Sequence, residues 1–158
     1  MKKFVYSLVM VVAVFLINIP INSVGAEQLQ DEIIVNGVKI NDYPIVINDC
    51  NLVPAREVCA KLGFTIIWNN NTQSATIQSD TMTTTVNVGE DLYVAHSIEA
   101  IGMTAPVSLG SGPILINNKL YVPAELFRIL QGNNPLSLTY TDNQIIFSTI
   151  NNQMNTVA

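Results

Sequence analysis

The side chains able to do acid–base or nucleophilic chemistry are few and scattered. His96 is the single histidine, with Glu90, Asp91 and Glu99 near it in sequence. An imidazole beside carboxylates is the material of a general base or a metal ligand. The segment around His96 is irregular, and a lone surface histidine beside acids is the simpler reading. Ser97, Ser108 and Ser111 have no adjacent base and no nucleophile-elbow glycine pattern. Gly110-Ser111-Gly112 is too short for a phosphate loop and lacks the lysine. Cys50 and Cys59 are too few thiols for a zinc motif. The sequence therefore assigns no catalytic residue, no cofactor-binding residue and no metal ligand.

Residues suited to recognition stand out more. Arg56 falls in the first turn of a predicted helix, where the dipole disfavours a positive charge. It calls for a nearby acid or carbonyl to pair with, or for a carboxylate or sugar ligand that it anchors. Trp68, Tyr93 and Tyr121 could line a sugar-stacking face. Strand aromatics are more often half-buried packing. Arg56, Trp68, Tyr93 and Tyr121 are the candidate ligand-binding residues.

The elements that must position them come in two similar runs. Pro44-Ile45-Val46-Ile47-Asn48 leads to Val53-Pro54-Ala55, and Pro113-Ile114-Leu115-Ile116-Asn117 leads to Val122-Pro123-Ala124 at a constant offset of 69 residues. Gly63 and Gly132 share that offset. A repeat this regular predicts two copies of one unit, residues 44–78 and 113–148. In each, a short strand and an Asn turn precede a helix opened by proline and stopped by glycine. The helices are predicted from Pro54 to Leu62 and from Pro123 to about Leu130. Hairpins follow, Phe64–Trp68 with Ser74–Gln78 and Leu136–Tyr140 with Gln144–Ser148. Asn36-Gly37 marks a further hairpin of the type I′ kind. Short connections favour antiparallel pairing. The expected fold is α+β, a twisted antiparallel sheet carrying two short helices.

The ends bound location. Lys2-Lys3, an apolar run from Phe4 to Ile17 and the small residues Val24-Gly25-Ala26 have the three-part layout of a secretory signal peptide, residues 1–26. Its removal takes away Lys2 and Lys3 and moves the formal net charge from −5 to −7. So acidic a chain is a poor binder of nucleic acid. Export makes a disulfide feasible. Cys59 inside the helix and Cys50 in the turn before it favour free thiols. Residues 149–158 are expected to form a disordered tail.

The spaced residues Ile34-Val35-Asn36-Gly37, Val53-Pro54-Ala55-Arg56, Leu62-Gly63 and Trp68, with Tyr121-Val122-Pro123-Ala124 and Gly132, resemble the copper amine oxidase N-terminal-like, or stalk, domain of secreted Gram-positive proteins. The resemblance covers residues 33–148. It departs in the second run, where Glu125 replaces the arginine and Asn133–Pro135 lengthen the link to the last hairpin. Tyr140 is the nearest counterpart of Trp68. The resemblance implies an accessory module outside any catalytic part. Copper in such oxidases is held by imidazoles, and one histidine is too few. The expected protein is a secreted, non-enzymatic binding or spacer module at the cell envelope. Its partner would be a cell-wall polymer or another envelope protein, with no membrane contact once the leader is removed. The alternative is a carbohydrate- or peptidoglycan-binding protein using exposed aromatics.

Overall fold

The computed structural model describes residues 31–150. The leader, residues 1–26, lies outside the described residues, as do residues 151–158 of the expected tail. Thr149 and Ile150 are tied in. The Thr149 amide donates to Asn36 Oδ1 (2.8 Å) and the Ile150 amide to Gln131 Oε1 (3.1 Å).

The chain folds into mostly β structure with two short helices. The elements run β1 (Glu32–Val35), β2 (Val38–Lys39), β3 (Ile45–Ile47), β4 (Cys50–Pro54), α1 (Ala55–Leu62), β5 (Thr65–Asn69), β6 (Ser74–Gln78), β7 (Met82–Asn87) and β8 (Ala95–Ser97). They continue with β9 (Ile114–Ile116), β10 (Lys119–Pro123), α2 (Glu125–Leu130), β11 (Leu138–Thr141) and β12 (Gln144–Phe147). A 3₁₀ turn at Pro135–Ser137 precedes β11.

The strands do not form the one antiparallel sheet expected. They form three four-stranded sheets in the orders β11-β12-β1-β2, β3-β4-β10-β9 and β5-β6-β7-β8. The pairing is antiparallel except that β1 runs parallel to β12, with Ile33 beside Ile145 and Val35 beside Phe147. In the middle sheet β4 pairs β10 antiparallel, and Val53 lies opposite Val122.

Local chemistry explains the joints. Asn36-Gly37, Asn48-Asp49 and Asn117-Asn118 all take positive φ. Asn, Asp and Gly tolerate that region best, and two such residues in succession make the turn that matches strand twist. Gly63 closes α1 at φ 79°. The expected turn at Cys50 is wrong, because the turn ends at Asp49 and Cys50 opens β4. The second helix starts at Glu125, two residues later than expected, because β10 runs through Pro123.

The core lies under both helices. Val58, Cys59 and Leu62 of α1 and Leu126, Phe127 and Leu130 of α2 are buried with Ile33, Val35, Ile145 and Phe147. Phe127 meets Phe147 edge-on with ring centroids 5.5 Å apart.

Candidate functional site

A groove of about 270 Å³ opens where the β5–β6 face meets the β9–β10 face. Strand periodicity builds it. On β5 the odd-numbered residues are exposed, while Ile66 and Trp68 turn inward. Trp68 sits opposite Ala75 of β6, whose small side chain leaves the groove open beside the indole. Leu115 and Leu120 face each other across β9 and β10 and form the other wall. Asn70 and Asn118 come from the adjoining turns. Arg56, from the first turn of α1, completes the lining.

Arg56 is exposed, and among the described residues it makes no ion pair and no hydrogen bond. The expected structural partner is absent there. A guanidinium with five free donors beside an indole and three aliphatic side chains can hold a carboxylate in two parallel bonds, or stack on a flat group.

The two tyrosines expected beside it are elsewhere. Tyr93 is 1% exposed and its hydroxyl donates to the Ser111 carbonyl at 2.7 Å. Burial, then the charge of Asp91, raises its pKa. Tyr121 is 8% exposed. Burial, then Asp42, raises its pKa as well. Both are packed in, as strand aromatics more often are, and neither offers its ring to a sugar-stacking face. Only Arg56 and Trp68 are brought together. The wall leucines, Leu115 and Leu120, were not singled out from the sequence, because nothing local says which face of a strand meets another sheet.

The 69-residue offset pairs Arg56 with Glu125, and a second depression of about 330 Å³ contains Glu125, Asp49, Cys50, Asn51 and Tyr140. Its charge is already matched. Arg128 Nε donates to Glu125 Oε2 at 2.6 Å and the Tyr140 hydroxyl to Glu125 Oε1 at 3.2 Å. A larger depression, about 700 Å³, runs past Ser79, Asp80, Asn133, Asn134 and Thr149. Its one ionisable side chain is Asp80, so it offers no cation and no acid–base pair. The smaller groove is the better candidate because an unpaired cation and an aromatic converge in it.

The other reactive side chains are held in structural work. Asp91 accepts from Ser108 Oγ (2.5 Å) and from the amides of Leu109 (2.8 Å) and Gly110 (3.1 Å). Burial pushes its pKa up, but these bonds outweigh it and the net shift is downward. Cys50 and Cys59 are free thiols. Burial carries Cys59 up to about 12. It also raises Cys50, with Asp91 and Glu125 adding to the effect.

A family model described as "Copper amine oxidase N-terminal domain" matches residues 34–134. The chain belongs to this family. The matched stretch of the copper amine oxidase N-terminal domain runs from β1 to the link after α2, so it contains the whole groove and stops before β11 and β12. A Brevibacillus choshinensis protein named "Protease inhibitor" is 35% identical over 72 residues, which are 46% of this chain and 20% of that protein. The match thus spans about a fifth of that relative's length. No solved structure matches. The family name mentions copper, and the donors here do not fit it. His96 is exposed on β8, and among the described residues no three His, Cys, Asp or Glu side chains gather.

Proposed function

We propose that this chain is a non-catalytic binding module exported to the cell envelope, and that the Arg56–Trp68 groove holds a carboxylate-bearing partner there. The observation that carries the reading is the unpaired Arg56 guanidinium set beside the apolar wall of Ile66, Trp68, Leu115 and Leu120. The signal-peptide layout of residues 1–26 supports export. Two copies of one strand–helix–hairpin unit account for the 69-residue offset and for Val53 lying opposite Val122. On that account Trp68 corresponds to Tyr140, each one pair back from the end of its hairpin. The copies then differ in charge. The second is satisfied internally through Glu125 and Arg128, and the first is left open.

A carbohydrate platform gains little support, because Tyr93 and Tyr121 are buried. Nothing among the described residues supports catalysis, since His96 has no acid partner and Asp91 is committed to a loop. Protease inhibition is a second reading with one feature in its favour. Ile101 is 109% exposed on a loop braced by the Ser97 amide on the Gly102 carbonyl at 2.9 Å. The relative's name suggests the same activity.

Sedimentation of the purified protein with an envelope fraction tests the main reading. Wild type is expected to co-sediment at low salt and Arg56→Ala to remain in the supernatant. Equal behaviour of the two proteins would overturn the groove assignment. Assays against a panel of secreted proteases test the second reading, with Ile101→Asp as the control.

A further inference from the structure

We infer that the ligand of this groove is an extended peptide carrying a carboxylate, bound by strand addition to β5. The inference rests on the groove being the binding site.

Four observations carry it. The first is the pair of open edges. β5 ends its sheet and β9 ends the middle sheet, and among the described residues no strand pairs with the outer edge of either. Such an edge presents unpaired amides and carbonyls to a partner chain. The second is the absence of the usual protection. Edge strands are commonly blunted by lysine or proline. β5 reads Thr-Ile-Ile-Trp-Asn and β9 reads Ile-Leu-Ile, with neither residue type in them. Ile67 is 64% exposed and Leu115 40% exposed. At five residues β5 is also the longest of the sheet-edge strands, long enough for several ladder bonds.

The third is size. About 270 Å³ falls below the roughly 300–1,000 Å³ of small-molecule sites. It suits one or two anchoring side chains of a ligand whose main chain lies outside. The fourth is chemistry. Ile66, Ala75, Leu115 and Leu120 line one side, and the polar groups are the Arg56 fork with Asn70 and Asn118, a set that matches one carboxylate beside an apolar side chain better than a ring of hydroxyl groups. The chain is acidic overall, with a net charge of −5, and it repels polyanions. A single carboxylate placed at Arg56 avoids most of that repulsion.

Trp68 is the sole tryptophan, so intrinsic fluorescence reads this groove directly. The probes are hexapeptides drawn from uncharged residues other than Trp with free C-terminal carboxylates, the same peptides amidated, amidated peptides with one internal Glu, backbone N-methylated forms of the carboxylate-bearing peptides and an oligogalacturonate. The free-carboxylate or Glu peptides are expected to shift the emission. Whichever of the two does so names the source of the carboxylate. Loss of both carboxylates should weaken binding at least tenfold, as should Arg56→Ala. Arg56→Lys should weaken it less, because the charge stays while the bidentate fork is lost. N-methylation removes the ladder donors and should abolish binding. Equal binding of N-methylated peptides would overturn strand addition. An Arg56-dependent response to oligogalacturonate alone would sink the peptide assignment and leave the groove as the binding site. No response to any probe, together with unchanged envelope binding by Arg56→Ala, would remove both.

Discussion

A cation in the first turn of a helix works against the dipole by about 0.3–1 kcal/mol, and Arg56 recovers none of this from a carboxylate among the described residues. Its removal should therefore separate stability from binding. Arg56→Ala is expected to unfold at the wild-type temperature or slightly above it while losing the envelope partner. A clear drop in melting temperature would mean that the guanidinium does structural work. The thiols make a second residue-scale contrast. Cys59 is fully buried on α1 with its pKa raised to about 12, whereas Cys50 is half-buried at the start of β4. Only the thiolate is nucleophilic. An alkylating reagent near pH 8 should label Cys50 first and reach Cys59 only on unfolding, as peptide mass mapping would show. Arg56 was legible in the sequence because its conflict with the dipole is local. The fates of Tyr93 and Tyr121 were not, since burial of a strand residue depends on which sheet packs against its face.

At the scale of elements, turn chemistry carried most of the readable information. Asn36-Gly37, Asn48-Asp49 and Asn117-Asn118 all adopt the left-handed conformations their residue types allow. Gly63 stops α1 where glycine at φ 79° is needed. The segment between β8 and β9 contains no named strand or helix, and what orders it is long-range. Asp91 holds residues 108–110 through one hydroxyl and two amides. Its pKa lies below the ordinary 3.8 in the folded protein. The charged carboxylate therefore contributes stability that is complete above that value and is lost as pH falls through the lower folded one. Asp91→Asn keeps an acceptor and removes the charge. It is expected to lower stability at neutral pH and to flatten the decline on acidification between about pH 5 and pH 2. An acid-unfolding profile parallel to wild type would show that the clamp adds no pH dependence.

For the whole molecule, the pairing that closes the fold is the one least visible in the sequence. β1 and β12 come from opposite ends of the described chain and lie parallel. Asn36 and Thr149, 113 residues apart, continue the contact. Short connections had suggested antiparallel neighbours throughout, and no local signal marks a pairing between remote strands. The family match ends at Asn134, so the last hairpin falls outside it. Packing nevertheless makes that hairpin part of the core. Phe147 and Ile145 are fully buried, and Phe147 meets Phe127 beneath α2. Losing the hairpin would bare Phe127, Ile33 and Val35 to water. Each fully buried side chain of this size contributes about 1.5–3 kcal/mol, against a total stability of about 5–15 kcal/mol for a domain. A chain ending at Asn134 should therefore lack a cooperative thermal transition by circular dichroism. Adding a separate peptide of residues 135–150 should restore part of it. If the shortened chain melts as sharply and as hot as the full one, the module ends where the family match ends and the hairpin is an appendage.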